Sequence, residues 1–431
     1  MNDNYDLVIV GLGPAGIAAA LEASKKTGYK ILCIDKGVPL DKRNGNKIHG
    51  NLCKCYERAS CDVLSGFGGS SLISGTKLSG YPAGSGLVNI LKDKTRVKGK
   101  IDAVMNYFIK ELSLLKYDNK VDIQEAEKYY AKLDYSLKFY ESLTYDEKKY
   151  RELLNKQYKL LLSKNIQVQF ETSLLDISAD KESYKITLLK DIDKKKIRAG
   201  KIILATGKSG YELLYKIGQS LNFNTRPSTL EVGVRLEFPA IIFNDIDKYQ
   251  KDLKLKSGLC RTYCISKNGE VVVYNDKNNY FTEGRVRVNK ITDNTNLAIV
   301  ARIPSSNDII DIHNNIINNY RQINKGDIIL CDYSNFTIYI EKILPEELFI
   351  ELKQEVSKFI KTFINQKDFD KIRIYLIERD FPIVTYEVKE NFEILKDIYI
   401  VGAATGRFRG IIQSFASGEL CVEGILGNNE Y

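Results

Sequence analysis

The chain has 431 residues, of which 44% are hydrophobic, and this length and composition fit a globular protein with two or three domains. The net charge of +9 is modest and the basic residues are scattered, so we expect neither a nucleic-acid nor a membrane partner. No apolar run reaches the ~18–20 residues of a spanning helix and no leader is recognisable. Eight cysteines indicate reduced thiols rather than a disulfide framework, so we expect a cytoplasmic protein.

A phosphate-binding turn is predicted at the amino terminus, where YDLVIVGLGPAGIAAALEASKK reads as strand, glycine turn and helix. Gly11 permits the turn, Gly13 lets a pyrophosphate approach the backbone, and Gly16 lets the helix pack against the strand. The helix N-terminus, with Pro14 and Ala15 in its first turn, directs its N–H groups at the phosphates.

A second predicted strand, residues 30–34, ends at Asp35, 19 residues after Gly16. At this spacing an acidic residue is expected to bind a ribose hydroxyl, and we assign the neighbouring Lys36 to the same site. A chance glycine turn in another α/β protein is the alternative. The succession of strand, turn, helix, strand and acid favours dinucleotide binding.

Three cysteines and a glycine-rich loop follow, in the stretch HGNLCKCYERASCDVLSGFGGSSLISGTKLSG. The close spacing of Cys53 and Cys55 disfavours the usual half of a structural zinc site, although a site that combines them with His49 and Cys61 stays open. A redox thiol and simple packing are the other interpretations. Our site assignment contains no metal ion.

The next segment, residues 93–165, is predicted to be a helical insert. Apolar residues recur there at helical spacing in two groups, which are Val104, Phe108, Leu112 and Leu115, and then Leu154, Tyr158, Leu161 and Leu162. We interpret the many tyrosines of this segment as packing rather than as an aromatic binding stripe.

A small antiparallel meander is predicted after this insert. Apolar and polar residues alternate over residues 166–170 and again over 184–188, as they do in half-buried strands. The meander leads into a buried strand, residues 201–204, which an Ala-Thr-Gly turn closes.

Residues 231–384 are predicted to form a substrate or cap domain. The stretches GEVVVYND, TNLAIVARI and FTIYIEKI are predicted strands. Pro345 is predicted to start a helix whose apolar face consists of Leu348, Leu352, Val356, Phe359 and Phe363.

The carboxy-terminal stretch IYIVGAATGRFRGIIQSFASGELCVEGIL reads as a strand, a glycine turn and a helix of small residues. The order of amino-terminal turn, meander, Ala-Thr-Gly turn and carboxy-terminal strand–turn–helix resembles the large family of two-dinucleotide-fold flavoproteins. The resemblance implies FAD as the cofactor. It also implies that the last helix N-terminus, at Arg409, Gly410 and Ile411, lies under the isoalloxazine ring, where its dipole favours the negative charge of reduced flavin.

One position departs from that family, which usually has Gly-Asp where this chain has Gly402-Ala403. The family aspartate accepts a hydrogen bond from a ribityl hydroxyl. Loss of a charged acceptor of this kind weakens binding by ~1.5–3 kcal/mol.

A closer resemblance is to the uncharacterised bacterial FAD-dependent dehydrogenases, and it covers nearly the whole chain apart from about residues 95–165. The matching stretches are the cysteines before GFGG (66–69), SGTKL (74–78), ATGKSGYELL (205–214), GVRLEFP (233–239), CRTYCISKNGEVV (260–272) and GRFRGIIQSFASG (406–418). Three features depart from the family pattern, namely Cys-x-Cys in place of Cys-x-x-Cys, a missing aspartate near Gly75, and Ala403. The substrate of that family is not established.

The sequence therefore predicts an α/β fold, with a Rossmann-like FAD-binding domain and β-meander, an inserted mixed α+β substrate domain and a helical insert. We expect the FAD-binding domain to comprise residues 1–92, 166–230 and 385–431. The helical insert is expected at 93–165 and the substrate domain at 231–384.

Two sets of site residues follow. The expected cofactor contacts are Gly11, Gly13, Pro14, Ala15, Gly16, Asp35, Lys36, Gly68, Gly69, Ser70, Lys77, Ala205, Thr206, Gly207, Gly402, Ala403, Gly410 and Ile411. The candidate catalytic residues are Arg409, Arg261, Tyr263 and Cys264. Arg235 and Glu237 are further polar candidates, since an arginine beside a flavin can hold a carboxylate bidentately, and strand pairing is the alternative for each.

We predict a FAD-dependent dehydrogenase or reductase that transfers a hydride through flavin N5 to or from an unidentified small molecule. No second GxGxxG follows a strand, so NAD(P)H, a candidate electron donor, is expected to dock directly on the flavin. A structural or regulatory flavin is one alternative, and a thiol-redox flavoprotein that uses Cys53, Cys55 or Cys61 is another. The chain lacks tryptophan and a Cys-x₄-Cys pair after the second strand, which argues against a flavin halogenase and a glutathione-reductase-type mechanism.

Overall fold

A computed structural model describes residues 3–25, 28–43, 60–74, 76–115, 122–242, 249, 252–277, 279–380 and 382–427. The elements up to residue 204 are β1 (Asn4–Val10), α1 (Pro14–Ala23), β2 (Ile31–Ile34), β3 (Lys77–Ser79), α2 (Gly86–Leu91), α3 (Lys94–Glu111), α4 (Ile123–Ala131), β4 (Ser136–Leu137), β5 (Ser142–Thr144), α5 (Glu147–Ser163), β6 (Gln167–Gln169), β7 (Thr172–Asp180), β8 (Ser183–Lys190) and β9 (Asp193–Leu204). The later elements are α6 (Tyr211–Ser220), β10 (Thr225–Pro227), β11 (Leu230–Pro239), β12 (Leu255–Ser257), β13 (Cys260–Ser266), β14 (Glu270–Asp276), β15 (Asn279–Arg285), β16 (Asn294–Ile303), α7 (Ile309–Asn324), β17 (Ile329–Asp332), α8 (Phe336–Ile343), α9 (Glu346–Phe363), β18 (Arg373–Asp380), β19 (Val384–Tyr386), β20 (Glu393–Leu395), β21 (Ile398–Ile400) and α10 (Ile411–Ile425).

The first sheet has eight strands, in the order β20-β21-β9-β1-β2-β6, with the β7–β8 hairpin attached to β9. β1 is parallel to β2 and to β9, and β21 is parallel to β9. Every residue of β2 is buried, as expected for a parallel strand that is covered on both faces. The predicted Rossmann-like α/β fold is confirmed.

Helices α1 and α10 pack together on one face of this sheet, in the same apolar cluster as Leu7 and Ile9 of β1. A Cβ atom on Gly418 would lie 2.1 Å from the carbonyl oxygen of Ala15, so the two helices approach closely only because residue 418 is glycine. The other face of β1 packs against α6, through Val8 and Val10.

The meander differs in part from the prediction. Residues 167–169 form β6, which pairs in parallel with β2 and belongs to the central sheet. The antiparallel meander consists instead of β7, β8 and the first half of β9. β9 continues into the central sheet, where its second half pairs with β1, so one strand serves both structures.

The second sheet has seven strands, in the order β17-β18-β11-β16-β13-β12-β4, and its strand pairs are antiparallel. Most of its strands come from the predicted substrate domain. β4, however, comes from the segment 93–165, and β5 of that segment pairs with β3. This segment is therefore not purely helical, and the division into domains stays a proposal.

One predicted strand of this region is wrong, because FTIYIEKI forms helix α8. The buried residues of α8 are Phe336, Ile340 and Ile343, and spacings of four and three residues are those of a helix face. The strand prediction followed the β-branched residues, and tertiary packing overrides that preference here. The next helix, α9, begins directly after Pro345 and buries four of its five predicted apolar residues, which are Leu348, Leu352, Val356 and Phe359.

The helices of the insert bury most of the predicted apolar residues. Val104 and Phe108 of α3 and Leu154 and Leu161 of α5 are buried, whereas Leu115 is 88% exposed. None of the helices in the described ranges combines the length and the apolar character that a membrane-crossing segment needs.

Candidate functional site

One cavity of about 1120 Å³ is lined by residues of both sheets. Its wall includes the turn at 11–15, the turn at 205–207, the turn at 402–411 and the strand β13. This volume exceeds the ~300–1,000 Å³ that is usual for a small-molecule site, and the cavity brings together most of the residues that the sequence singles out.

The amino-terminal turn and the glycine-rich loop form one wall of the cavity. Gly13 is the N-cap of α1 and Pro14 is its first residue. A Cβ atom on Gly69, which adopts a φ of +59°, would lie 2.9 Å from the Cα atom of Gly13. The N–H groups at the start of α1 form an anion site of the kind that binds phosphates.

Two of the predicted cofactor contacts do not line the cavity. Gly16 stands behind the turn, where an added Cβ would lie 1.8 Å from the carbonyl oxygen of Gly11. Gly68 faces the helix α5, with an added Cβ 2.6 Å from Leu154 Cδ1. Both glycines permit close packing behind the wall, and neither presents its backbone to the cavity.

Asp35 lines the cavity, but its carboxylate already accepts hydrogen bonds from three backbone N–H groups. Oδ2 accepts a hydrogen bond from the Leu12 N–H at 2.7 Å, and Oδ1 accepts from the N–H groups of Gly37 and Gly66 at 2.8 Å. A carboxylate offers about four acceptor sites. Its contact with a ribose hydroxyl therefore stays a prediction, while its bonds to three loop amides are part of the structure.

Arg43 holds the glycine-rich loop from behind, and no sequence pattern singles this residue out. Its Nη1 donates to the carbonyl oxygens of Phe67 and Gly69, both at 2.8 Å, and its side chain is fully buried. Ser70 and Lys77 of this loop line the cavity. Lys77 directs its ammonium at Asp252, at 3.2 Å, and at the carbonyl oxygen of Ile265, so it also joins the loop to the second sheet.

Lys36 also lines the cavity, and its Nζ donates a hydrogen bond to the carbonyl oxygen of Ser209 at 3.2 Å. Burial lowers the pKa of Lys36, and the carboxylates of Asp276 and Asp35 oppose that shift.

The two later turns complete the long wall. Ala205, Thr206 and Gly207 follow β9 and line the cavity, as do Gly402 and Ala403 after β21. Helix α10 starts at Ile411 after Gly410, which adopts a φ of +116°. Three parallel strands therefore deliver their carboxyl ends to one cavity, as is usual for ligand sites in open α/β sheets.

Three buried polar atoms of this wall have no hydrogen-bond partner in the part of the chain that the structure describes. They are Ser65 Oγ, Thr206 Oγ1 and Gln413 Oε1. Gln413 is fixed by its amide nitrogen, which donates to the carbonyl oxygens of Ser79 and Ala83 at 2.8 and 3.1 Å. Because a buried polar group without a partner is costly, these atoms fit a polar ligand that extends along the wall.

The four candidate catalytic residues all line the cavity. Tyr263 is central, since its hydroxyl lies 3.1 Å from Nη1 of Arg409. Lys254 Nζ, Arg261 Cζ and Arg409 Cζ lie 4.7, 5.1 and 5.4 Å from the centre of its ring, which is the range of cation–π contacts. Cys264 follows with a φ of +48°, and its thiol lies 3.7 Å from the carbonyl oxygen of Gly284.

A buried carboxylate, Glu231 of β11, joins three arginines at this end of the cavity. It accepts bonds from Arg261 at 2.9 Å, from Arg302 at 2.7 Å and from Arg409 at 3.4 Å. Burial raises the pKa of Glu231, but Arg261 and Arg409 outweigh burial, so the group stays ionised with a pKa far below its usual range. Asp380 makes a further ion pair with Arg409.

A second buried carboxylate, Asp252, lies between two lysines and a tyrosine. Lys77 and Lys254 approach it at 3.2 and 3.4 Å, and the Tyr140 hydroxyl donates to it at 2.8 Å. Burial lowers the pKa of Lys254 to about 8, and Asp252 opposes that shift. The sequence did not identify Glu231, Asp252 or Lys254. Asp252 and Lys254 are neighbours in the sequence, but Tyr140 and Lys77, the other partners of Asp252, lie 112 and 175 positions away.

Arg235 and Glu237 do not line the cavity. Arg235 is fully buried within the second sheet, where it donates to Glu378 at 2.9 Å and to Asn296 at 2.8 Å. Glu237 accepts a bond from the Tyr375 hydroxyl at 2.9 Å. Strand pairing, the alternative raised for these residues, is what the structure shows.

The cysteine clusters do not meet in the cavity as far as the described residues reach. Cys260 and Cys264 line it, whereas Cys61 is buried outside its lining, and His49, Cys53 and Cys55 lie outside the described residues. Burial raises the pKa of Cys260 to about 12 and also raises that of Cys61. Among the described residues, no group of histidine, cysteine and acidic side chains could hold a metal ion.

Comparisons with solved structures give weak similarities. They include glycine oxidase from Geobacillus kaustophilus (10% identity over 100% of this chain and 96% of that chain, TM-score 0.45) and a geranylgeranyl bacteriochlorophyll reductase-like protein from Thermoplasma acidophilum (15%, 100% and 80%, TM-score 0.44). A flavoprotein/dehydrogenase from Cytophaga hutchinsonii has 11% identity over 98% of this chain and 79% of that chain, with a TM-score of 0.40. These TM-scores are too low to decide the activity.

No curated protein matches the chain. The pyridine nucleotide-disulphide oxidoreductase family model matches residues 5–238, more than half of the chain. This match, together with the glycine turns and the unpartnered polar atoms of the cavity, supports FAD as the cofactor, as the sequence predicts. The chain belongs to the pyridine nucleotide-disulphide oxidoreductase family.

Proposed function

We propose that the protein is a FAD-dependent dehydrogenase or reductase that acts on a small molecule bound at the β13 end of the cavity. The observation that carries this proposal is the continuity of the cavity, because one wall joins the glycine turns at 11–15 and 402–411 to the cations around Tyr263. A cofactor and a substrate can meet in such a cavity without water between them. Bound FAD supplies hydride transfer through its N5 position.

The residues that would hold FAD lie on the first sheet. The start of α1 and Gly13 suit the pyrophosphate, since helix N–H groups favour anions. Ser65, Thr206 and Gln413 offer unpartnered polar atoms along the wall. The start of α10, at Gly410 and Ile411, suits the pyrimidine end of the ring, where negative charge develops on reduction.

The residues that would act on the substrate lie on the second sheet and before α10. Arg261 and Arg409 can orient an acidic group, and the Tyr263 hydroxyl can donate a hydrogen bond to it. Lys254 has a pKa of about 8, near the operating pH that suits a general acid or base, so its Nζ can hold or release a proton.

The test is the absorbance spectrum of the purified protein, taken before and after addition of FAD, and then anaerobic addition of NADPH or NADH. We expect flavin bands that bleach with one of the two nicotinamides. Bands that bleach with dithionite but with neither nicotinamide would replace NAD(P)H by another electron donor. A protein that takes up no flavin would overturn the proposal.

A thiol-redox flavoprotein is the second candidate, and the position of Cys264 favours it, because this free thiol lines the cavity next to Tyr263. Replacement of Cys264 by serine distinguishes the two functions. Loss of turnover with normal flavin reduction would support thiol chemistry. Unchanged turnover in this variant and in a variant that lacks Cys53, Cys55 and Cys61 would remove it.

A further inference from the structure

The β13 end of the cavity carries more positive than negative charge. Seven cations, which we call the basic end, line it: Lys77, Lys138, Lys254, Lys256, Arg261, Arg302 and Arg409. The acids that pair with them are Glu231, Asp252 and Asp380, so seven cations face three acids and four positive charges are left over. A cleft lined by an excess of one sign of charge raises the local concentration of ligands of the opposite sign.

The charged residues along the rest of the wall are balanced. Lys208 pairs with Glu283, Arg379 pairs with Asp276, Lys277 pairs with Glu212 and Arg407 pairs with Glu387. The carboxylate of Asp35 acts on the remaining cation, Lys36. The surplus is therefore local to the basic end and is not a general property of the cavity.

Lys138 illustrates the surplus most directly, because it pairs with no acid among the described residues. Its side chain is exposed where it lines the cavity, and the pKa of its ammonium is lowered first by partial burial and then by the positive charges of Arg261 and Arg302. Three cations that repel one another around one space form the environment in which a carboxylate or phosphate binds.

The two arginines also keep hydrogen-bond donors available. Arg261 and Arg302 both bind Glu231 through Nε and Nη2, and no described residue accepts a bond from Nη1 of either. Glu231 thus fixes both guanidinium groups while leaving donors on each for a ligand. A guanidinium held in this way suits carboxylate and phosphate oxygens.

We propose that the basic end binds a substrate with at least two acidic groups, carboxylate or phosphate, one of them on Lys138, Arg261 and Arg302 and another beside Lys254 and Arg409. The assignment rests on the proposed function in one respect: FAD occupies the end of the cavity with the glycine turns, so its own phosphates do not neutralise the basic end.

The test uses the flavin-loaded protein at low ionic strength, because salt screens exposed charges. Citrate, succinate and inorganic pyrophosphate are titrated against acetate and the neutral succinamide, with the flavin difference spectrum and the melting temperature as readouts. We expect saturable binding of at least one of the three polyanions, about tenfold or more tighter than acetate. Equal binding of acetate, or saturable binding of none of the three polyanions, would overturn the proposal.

Three variants locate the site. Lys138→Met and Arg302→Met should each weaken polyanion binding about tenfold, the effect of losing one charged hydrogen bond. Lys194→Met removes the same charge from the exposed start of β9 and should leave polyanion binding unchanged. Equal effects of all three variants would mean a general charge effect and would overturn the assignment.

NADP⁺ serves as a further probe, because its phosphates could use the same cations. If Lys138→Met weakens NADP⁺ binding and leaves the polyanions unaffected, the basic end serves the electron donor and the substrate assignment is overturned. Failure of the proposed function gives a different result. If the protein takes up no flavin but still binds the polyanions, the FAD-dependent function is wrong and the anion site stands.

Discussion

Lys254 is a residue whose charge depends on the cavity around it. Burial lowers its pKa to about 8, against the pull of Asp252 and with the help of Arg261; Cys264 and Lys77 are its further neighbours. An unfolded lysine keeps its proton up to ~pH 10.4. Between about pH 8 and 10.4 the unfolded chain thus holds more protons than the folded chain, and this group makes the free energy of unfolding rise with pH.

Binding of polyanions should depend on pH through this lysine. We expect citrate affinity to fall as the pH rises through about 8, because Lys254 then loses its positive charge. Lys254→Arg should keep the affinity flat over the same range, since arginine stays protonated. Titrations of both proteins across this range provide the measurement, and an identical decline in the variant would assign the pH dependence to another group.

Ala403 should limit how tightly FAD binds. Ala403→Asp restores the acceptor that the resembling flavoproteins carry at the cavity wall, and we expect FAD to bind about tenfold more tightly, the effect of one charged hydrogen bond. Fluorescence titration of the apoprotein with FAD measures this. Ala403→Val fills space without an acceptor and should not strengthen binding. If the aspartate variant binds no better than wild type, residue 403 does not contact the cofactor.

At the scale of single residues, local sequence patterns identified more of the candidate site than isolated charged residues did. The glycines of the three turns stand out because they follow apolar strands. Glu231 does not, because its partners are 30, 71 and 178 positions away in the sequence. Arg235 is a similar case, because nothing in the surrounding sequence shows that Glu378 neutralises its charge inside the sheet.

Among the elements, β11 anchors the basic end through Glu231. Glu231→Gln leaves three arginines around a neutral amide, so we expect the free energy of unfolding to drop by about 3 kcal/mol. Chemical denaturation measures the loss. The exposed pair Lys98–Asp102 on α3 supplies the control, because Asp102→Asn should cost no more than about 0.5 kcal/mol. Equal losses would mean that Glu231 has no anchoring role.

The contact between α1 and α10 should tolerate no side chain at Gly418. Gly418→Ala places a methyl group against the Ala15 carbonyl, and we expect a loss of about 1–3 kcal/mol from overpacking together with weaker FAD binding. Gly99→Ala is the matched control, because an added Cβ in α3 meets nothing within 4 Å and should stabilise the helix by about 0.5–1 kcal/mol. Thermal unfolding of both variants tests the pair, and a stable Gly418→Ala protein would contradict the packing.

Helices and strands were predictable from the sequence where the hydrophobic pattern was long. The prediction failed where the pattern was short. The eight residues of α8 carry many β-branched side chains, and only the buried positions in the structure reveal the helical period. β6 is three residues long and alternates like a meander strand, so only its pairing with β2 shows where it belongs.

For the whole molecule, FAD should stabilise both sheets together. Residues of both sheets share one apolar cluster. Gln413, at the start of α10, donates a hydrogen bond to Ser79 of β3, and Lys77 of β3 donates one to Ile265 of β13 in the second sheet. We expect one calorimetric transition, and we expect FAD to raise its melting temperature. At a free FAD concentration of about one hundred times Kd, the free energy of unfolding should rise by about 2.7 kcal/mol. Two transitions, of which FAD shifts only one, would show that the sheets unfold independently.

The overall architecture was the most predictable level, because strand, glycine turn and helix recur at both ends of the chain. How the second sheet closes the cavity was not predictable, since β4 joins that sheet from the preceding insert. The cytoplasmic location stays a prediction.

The carboxylate of Asp35 has a consequence for the rate at which the protein acquires its cofactor. Its three bonds to the amides of Leu12, Gly37 and Gly66 hold the nucleotide end of the cavity in shape without help from a ligand. A receptor that is ordered beforehand loses little conformational freedom on binding. Flavin should therefore enter the empty protein in a single phase whose rate is proportional to FAD concentration, with no slow rearrangement afterwards.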